Sequence, residues 1–451
     1  MMKYQVYEEY KDSGVEWVGD IPLDWQALPL KLMTISKVKD GPHETPRFID
    51  EGVPFFSVDS IQNNQLVFTG SRYISREDHK RFSLKCLPKK GDVLLGKAAS
   101  VGKVAYVDTD KEFNVWSPLA VITPKSQEFG QFIFYSLQST WLQAQCDMLS
   151  NSNTQKNLSM QAIDNITFTF PDREVAGQIA NFLDHETAKI DTLIEKQQQL
   201  IELLKEKRQA VISHAVTKGL NPHAPMRDSG VEWLGEVPEH WEVSQLKFYT
   251  LNMQTGPFGS QLHSEDYVID GIPLINPAHM SFGEIVPDSK VTVDKETQVR
   301  LSRHKLSEGE IIFARRGELG RCAIVTTKEE GWLCGTGSLK AKLNNKLVPE
   351  YTYLLITSNG VISELSLESK GSTMDNLNTE TLGRIRIPVP PEGEQNKILN
   401  YVEDILDKYK SLIGSSESAI VLMQERRTAL ISAAVTGKID VRDWQDPKAT
   451  L

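Results

Sequence analysis

The chain has 451 residues, which is too long for one hydrophobic core and suits two to four domains. Its composition, 40% hydrophobic and 24% charged, is that of a globular protein, and no apolar stretch is long enough to cross a bilayer. The net charge of −10 disfavours a free-standing, non-specific nucleic-acid binder. The four cysteines are scattered without metal-ligand spacing, which disfavours disulfides and zinc sites and fits a reducing cytoplasm.

The first 170 residues are predicted to hold an N-terminal segment and one globular block. Short β-like runs at Asp92–Leu95 and Val104–Val107 flank glycine-rich turns, and Pro171 marks the end of the block. Between Ala27 and Phe170 there are sixteen basic and fourteen acidic residues. This block is therefore near neutral, and the negative charge of the chain lies mostly outside it.

Residues 171–219 are predicted to form a long helix, and residues 220–389 a linker and a second globular block. A β-like run at Glu310–Phe313 belongs to this block, which holds sixteen basic and seventeen acidic residues between Val243 and Val389. Residues 390–451 are predicted to form a second long helix and a tail. The fold class expected is α+β, with two blocks of short strands and helices.

An internal repeat of about 219 residues underlies this organisation, and it is far longer than the period of a solenoid. Four matched segments occur in the same order in both copies, so the chain is a duplication with expected pseudo-two-fold symmetry. The pairs are KDSGVEWVGDIPLDW from Lys11 and RDSGVEWLGEVPEHW from Arg227; EGVPFF from Glu51 and DGIPLI from Asp270; KGDVLLGKAASVGKVAYV from Lys90 and EGEIIFARRGELGRCAIV from Glu308; and EKRQAVISHAVTKG from Glu206 and ERRTALISAAVTGK from Glu425.

Apolar residues in the two long helices recur at alternating steps of three and four, which is typical of a coiled-coil seam. A helix of about 40 residues spans roughly 60 Å and needs a partner, so we expect the two to pair antiparallel rather than pack independently. Polar seam positions are expected at Gln197 and Ser416. The seam residues are Ile179, Leu183, Ile190, Leu193, Leu200, Leu204 and Val211 in the first helix, and Ile398, Val402, Ile405, Tyr409, Leu412, Ala419, Met423 and Leu430 in the second.

The tail after the second helix, TGKIDVRDWQ, is similar to the linker after the first, TKGLNPHAPMRDSGVEW. The N-terminus supplies the continuation of that linker at Lys11. We therefore expect the two chain termini to lie close together.

Two matched loops are candidate DNA-binding segments, because their Gly-Pro and Thr-Pro turns restrict the backbone and their side chains suit base edges and phosphates. An ordinary surface loop remains an equal alternative for either one alone. The candidates are Lys39, His43, Thr45 and Arg47 in the first loop, and Gln254, Phe258, Ser260, Gln261 and His263 in the second.

Basic residues on two matched glycine-rich hairpins are further candidates for phosphate or guanine contact. Their alternative is salt bridging to neighbouring acids such as Glu310 and Glu318. A basic run that begins at Arg72 also suits backbone contact. The hairpin candidates are Lys97 and Lys103 in the first copy, and Arg315, Arg316 and Arg321 in the second.

Catalytic motifs are not found. The segment GKAASVGKV from Gly96 does not have phosphate-loop spacing, and neither Asn221-Pro222 nor Asn276-Pro277 is followed by the proline and aromatic residue of an adenine methyltransferase. We therefore expect no catalytic residue, no metal site and no cofactor in this chain. Two other classes stay open: a non-catalytic scaffold of a DNA-processing complex, and a reader fused to an unrecognised nuclease.

The motifs taken together, in this order and in duplicate, resemble the type I restriction-modification specificity subunit over nearly the whole chain. The resemblance implies two target recognition domains on a spacer of paired helices, a bipartite non-palindromic DNA site, and partners that are two modification subunits and restriction subunits. Those partners would bind S-adenosylmethionine, ATP and magnesium. The first copy departs from the family pattern at Pro171, Val175 and Ala176. The motifs are DG-x-H-x-TP at 40–46, GPFGS at 256–260, RRG-x-LG at 315–320, PP-x-x-EQ-x-x-I at 390–398 and the two helix ends.

Overall fold

The computed structural model describes residues 4–16, 18–150, 156–281, 283–317, 319–369 and 377–445. It divides into two compact units. The first contains Met1–Gln198 and Glu417–Leu451, and the second contains Gln199–Ser416. Each unit therefore combines one globular block with parts of both long helices.

The first block carries thirteen described strands, four short helices and the start of a long helix. In chain order they are β1 (Tyr10–Asp12), β2 (Asp20–Pro22), β3 (Gln26–Pro29), β4 (Lys39–Asp40), β5 (Val53–Phe56), β6 (Ile61–Gln62), β7 (Gln65–Leu66), β8 (Arg72–Ile74), α1 (Arg76–Ser83), β9 (Val93–Gly96), β10 (Val104–Tyr106), β11 (Asn114–Val115), β12 (Leu119–Ile122), α2 (Gln127–Ser136), α3 (Thr140–Met148), α4 (Met160–Asn165), β13 (Thr167–Phe170) and the long helix α5 (Arg173–Lys218).

The second block repeats this order with longer or additional strands around its loop. Its elements are β14 (Met226–Asp228), β15 (Glu236–Pro238), β16 (Glu242–Gln245), β17 (Thr250–Thr255), β18 (Tyr267–Val268), β19 (Ile272–Ile275), β20 (Met280–Ser281), β21 (Glu284–Ile285), β22 (Thr292–Val293), α6 (Lys295–Arg300), β23 (Ile311–Ala314), β24 (Cys322–Ile324), β25 (Leu333–Cys334), β26 (Ser338–Leu343), α7 (Pro349–Ile356), α8 (Asn359–Ser369), α9 (Thr379–Arg384), β27 (Arg386–Val389) and the long helix α10 (Glu392–Val435).

The sheets of the two blocks have the same topology, which confirms the duplication. The order β10-β9-β12-β4 in the first block corresponds to β24-β23-β26-β17 in the second, with antiparallel pairing throughout. A smaller sheet pairs β11 with β5 in parallel, and β25 pairs with β19 in the same way. The β-like runs expected from the sequence are therefore β9 and β23, which are interior strands of their sheets, and the edge strand β10.

The start of each long helix is fixed by a different polar residue. Asp172 accepts a hydrogen bond at Oδ1 from the Val175 backbone N–H at 2.9 Å, so it caps α5. In α10 the Gln395 side chain is fully buried and donates to the backbone oxygens of Pro390 (2.9 Å) and Lys346 (2.8 Å). The departure of the first copy from the Pro-Pro and Glu-Gln pattern thus changes only how the helix begins.

Within each unit the segments of α5 and α10 run antiparallel, as expected. In the first unit Thr169, just before α5, donates to the backbone oxygen of Val435 at the end of α10 (2.7 Å). Further along, Asp191 pairs with Arg427 at 2.9 Å. In the second unit Ile212 and Val216 near the end of α5 share a core with Ile398 and Val402 near the start of α10. Among the described residues, no helix has the length and apolarity needed to span a membrane.

Of the expected seam residues, Ile179, Leu183 and Ile190 of α5 and Ile398, Val402, Tyr409 and Leu430 of α10 are buried, whereas three leucines nearer the middle of the helices are exposed. Leu193 and Leu200 are 48% and 41% exposed, and Leu412 of α10 is 43% exposed. The buried isoleucines of α5 instead follow an eleven-residue spacing, and the matching positions of α10 do the same. They are Ile179, Ile190, Ile201 and Ile212 in α5, and Ile398, Tyr409, Ile420 and Ile431 in α10, of which only Ile420 is half-buried.

The physical reason is the pitch of the helix. An α-helix has 3.6 residues per turn, so a seven-residue pattern drifts by about 20° in each heptad, whereas an eleven-residue pattern makes slightly more than three turns and drifts by about 20° only every eleven residues. Over a helix of 46 residues this drift carries Leu193 and Leu200 off the buried face. Ser416 is buried and Gln197 half-buried, as expected for polar positions on that face.

The described segments nearest the two ends of the chain lie together in the first unit, as the repeat predicts. The Asp440 backbone N–H donates to the Gln5 backbone oxygen at 2.8 Å, and Tyr10 Oη donates to the Gly437 oxygen at 3.1 Å. Trp444 packs edge-on against Phe182 of α5 with ring centroids 5.7 Å apart. The tail thus occupies a place in the core of this unit.

Candidate nucleic-acid interface

The first loop, residues 41–48, is anchored at its base and exposed at its side chains. Gly41 lies so close to β11 that a Cβ there would be 1.7 Å from the Val115 carbonyl oxygen. Pro46 is buried and fixes the other end of the turn. The loop therefore has little freedom to adopt other backbone conformations. The predicted residues Lys39, His43, Thr45 and Arg47 are all exposed.

Neighbouring elements hold this loop with charged and aromatic contacts. Arg81 of α1 pairs with Glu44 at 2.7 Å. The exposed guanidinium of Arg72 on β8 lies 5.0 Å from the centroid of the Phe48 ring, within the range of a cation–π contact. The structure therefore places Arg72, a predicted DNA-binding residue, beside the end of the first loop.

The hairpin between β9 and β10 presents its two predicted lysines unequally. Lys97 points inward: its side chain is 9% exposed, and its ammonium lies 3.3 Å from the buried carboxylate of Asp40. A buried lysine paired with an acid is not accessible to DNA in this conformation, so the structure offers no support for the predicted DNA contact of Lys97. Lys103, on the same hairpin, is exposed.

The second loop begins with the same close approach as the first. A Cβ at Gly256 would be 1.8 Å from the Gly335 carbonyl oxygen, next to β25. Beyond it Phe258 is 62% exposed, so its ring is accessible to a binding partner. Ser260 and His263 are exposed as well, whereas Gln254 and Gln261 are half-buried.

Two arginines that the sequence reasoning missed organise the second loop. Arg300 of α6 donates to the Gln261 backbone oxygen (2.8 Å) and pairs with Asp266 (2.6 Å). A backbone hydrogen bond from His263 and the Arg300 guanidinium hold the pKa of Asp266 below its usual value. Arg303 donates to Gln254 Oε1 at 3.4 Å. Only the basic character of the 295–305 segment hinted at this role, because the contacts join residues 34 to 49 positions apart.

The second hairpin, between β23 and β24, presents its arginines unequally. Arg316 is exposed. Arg315 is half-buried and donates from Nε to the Leu377 backbone oxygen at 3.2 Å, and burial lowers its pKa. Arg321 is half-buried and donates to the Pro277 backbone oxygen at 3.2 Å.

The arginines of this hairpin do not form the alternative salt bridge with Glu310, because that carboxylate has another partner. Glu310 forms a buried ion pair with Lys340 of β26, with Nζ 3.0 Å from Oε2. The other acid considered, Glu318, lies outside the described residues. Arg316 is therefore the most accessible of the three predicted arginines on this hairpin.

The part of the chain that the structure describes contains neither a group of metal-ligating side chains nor an accessible thiol. Within it, no three His, Cys, Asp or Glu side chains are grouped so that they would hold a metal ion. The thiols of Cys86, Cys146, Cys322 and Cys334 are free and buried. Burial raises the pKa of Cys86 to about 11 and that of Cys146 to about 12. These thiols are protonated packing groups at neutral pH.

The duplicated block carries an anchored loop with exposed polar side chains in each copy, an arrangement that suits a DNA-recognition protein with two reading units. The family model for the type I restriction modification DNA specificity domain matches residues 34–203 and 238–416, and the chain belongs to this family. It is accordingly a specificity subunit that recognises DNA sequence. It is not itself an enzyme, since catalysis in these systems belongs to partner subunits.

Relatives and solved structures agree with this assignment. The chain is 23% identical to the putative type I restriction enzyme MjaX specificity subunit of Methanocaldococcus jannaschii, covering 97% of this chain and 99% of that protein. It is 22% identical to the EcoKI specificity subunit of Escherichia coli, with 95% and 91% covered. The fold matches the HsdS subunit of Thermoanaerobacter tengcongensis with a TM-score of 0.52, 13% identity, and 93% and 98% covered. A chain from a structure of type I restriction-modification complex assembly gives a TM-score of 0.64 at 13% identity, with 92% and 98% covered.

Proposed function

We propose that this chain reads a bipartite, non-palindromic DNA site, with one half-site for each recognition block. The observation that supports this is the duplication itself: equal sheets carry equally anchored loops whose exposed side chains differ. The first loop offers His43, Thr45 and Arg47, and the second offers Phe258, Ser260 and His263. Two blocks of one design with unlike reading residues suit two unlike half-sites.

The proposed contacts divide by chemistry. Charged side chains that are exposed suit phosphates: Lys39, Arg72, Lys103 and Arg316. Loop side chains that donate or accept hydrogen bonds suit base edges: His43, Thr45, Arg47, Ser260, Gln261 and His263. Phe258 suits contact with a thymine methyl group or a base step. Gln254, Arg315 and Arg321 are half-buried and bonded within the second unit, so they support the loop and hairpin.

The partners we propose are two modification subunits, which methylate adenine, and restriction subunits, which translocate and cleave DNA. S-adenosylmethionine, ATP and magnesium belong to those subunits, and this chain contributes no cofactor of its own. The near-neutral charge of both recognition blocks supports this division of labour, because a protein that neutralised many phosphates alone would carry a strongly basic surface. The MjaX and EcoKI relatives are named as specificity subunits of type I restriction enzymes.

The test is a selection of duplexes from a random pool by the chain assembled with its modification subunits. We expect enrichment of one split motif with two unlike halves. Arg47→Ala is expected to relax the half read by the first block and His263→Ala the half read by the second, because each removes an exposed loop side chain. An assembled complex that enriches no motif would favour a scaffold without sequence reading.

A further inference from the structure

A buried carboxylate lies directly beneath the first recognition loop. The Asp40 side chain is fully buried, and its Oδ1 accepts a hydrogen bond from Lys85 Nζ at 2.6 Å. Lys97 Nζ lies 3.3 Å from Oδ2, and His43 Nε2 lies 3.5 Å from the same oxygen. Three basic side chains therefore converge on one carboxylate at the point where β4 leads into the loop.

The three basic groups differ in access to solvent. Lys97 is 9% exposed and serves as the inner partner of the carboxylate. Lys85 is 46% exposed, and it also donates to the Gly41 backbone oxygen at 2.6 Å. A lysine ammonium has three N–H groups, so the bonds to Asp40 and Gly41 leave one for a further acceptor. Lys85 is thus held in place at its inner side and open at its outer side.

The second block has no equivalent of this carboxylate. Thr255 takes the position of Asp40 at the end of the matched strand, and its backbone oxygen accepts from His304 Nδ1 at 2.9 Å. Arg315 takes the position of Lys97 and donates to a backbone oxygen instead. Among the residues that the structure describes, the charged arrangement therefore belongs to the first block, which allows the second half-site to serve as an internal reference.

We propose that Lys85 contacts a DNA phosphate next to the half-site read by the first block, and that Asp40 is the positioning residue that presents it. This inference rests on the proposed function. A charge-assisted hydrogen bond to a buried carboxylate fixes the ammonium with little remaining freedom, so the cost of ordering it is met before DNA binds. The adjacent bond to Gly41 couples the position of the ammonium to the base of the reading loop.

The substitution Asp40→Asn distinguishes this proposal from a simple charge effect, because the two predict opposite changes in DNA affinity. It removes one negative charge near the DNA, so long-range electrostatics alone would strengthen binding. Loss of positioning instead weakens it, by about tenfold if one charge-assisted hydrogen bond is lost. Lys85→Met removes the phosphate contact itself and is expected to lower the slope of log K against log salt by about 0.9.

The measurement is the affinity of the full chain, assembled with its modification subunits, between 50 and 200 mM salt. The probe is a duplex carrying the motif that the wild-type complex methylates. Exchanging the first block for that of a relative shows which half of the motif the first block reads. Lys90→Met is the matched control, because that ammonium is 50% exposed and pairs with Asp110 at 3.5 Å. Its salt slope is expected to fall by less than that of Lys85→Met.

Unchanged or tighter binding by Asp40→Asn, or an unchanged slope for Lys85→Met, overturns the proposal. Because Asp40→Asn leaves Lys97 buried without its partner, the double variant Asp40→Asn/Lys97→Met tests folding separately. It is expected to melt near the wild-type temperature and still read the first half-site poorly. Recovery of wild-type affinity in the double variant would show that Asp40 only neutralises Lys97. A wild-type complex that methylates no motif would instead refute the proposed function.

Discussion

The close approach at Gly41 and Gly256 allows one half-site to be disabled while the other serves as the control. An added Cβ at Gly41 would lie 1.7 Å from the Val115 carbonyl oxygen, whereas ordinary van der Waals contact begins at 3.4 Å. The loop and β11 would have to separate by about 1.7 Å, half of the contact distance. Because the obstacle is backbone and not a flexible side chain, we place the local cost near the upper end of overpacking, about 3 kcal/mol.

The assay is sequencing of modified bases after co-expression of each variant with the modification subunits. Gly41→Ala is expected to relax or abolish reading of one half-site, and Gly256→Ala, whose Cβ would lie 1.8 Å from the Gly335 oxygen, that of the other. Gly393→Ala in the first turn of α10 adds a Cβ in open space and is expected to leave both half-sites intact. If both loop variants altered the same half, or neither altered any, the assignment of one loop to each half-site would be refuted.

Three further predictions concern stability. Ile201→Ala is expected to lower the free energy of unfolding by about 2–5 kcal/mol, and the adjacent Leu200→Ala by less than about 0.5 kcal/mol, since only Ile201 is buried. Equal melting temperatures would contradict the eleven-residue pattern. Glu310→Gln leaves the buried Lys340 ammonium without its charged partner and is expected to lower the free energy of unfolding by about 3–5 kcal/mol. The double variant Glu310→Gln/Lys340→Met is expected to recover most of this loss, and denaturant titration measures both variants. Burial lowers the pKa of His304, so the unfolded chain binds a proton first and stability is expected to fall as pH drops below about 6.5. A urea series from pH 7 to 5 checks this, and His304→Asn, which keeps a donor toward Thr255, is expected to flatten the dependence.

Features set by local sequence were predictable. Glycine turns, prolines at block ends and matched segments are visible in the chain itself, and they located β9, β10 and β23 as well as both long helices. The close relation of the termini followed from the similarity of the tail to the linker. These predictions depended on neighbouring residues or on comparison of the chain with itself.

Features set by long-range contacts were not predictable. Lys97 and Lys103 are equivalent basic residues on one hairpin, yet Lys97 turns inward because Asp40, 57 positions earlier, is buried beside it. The support of the second loop by Arg300 likewise depends on α6 packing near it. The helix seam failed at Leu193 because steps of three and four fit both a seven- and an eleven-residue period, and only burial distinguishes them.

The central claim is tested most directly by co-expressing this chain with its modification subunits in a host that lacks adenine methylation and sequencing the modified bases. We expect methyl-adenine at a single split motif whose two halves differ, because the two blocks share one fold and carry different loops. A continuous palindrome, or no methylation from a complex shown to be assembled, would contradict the account.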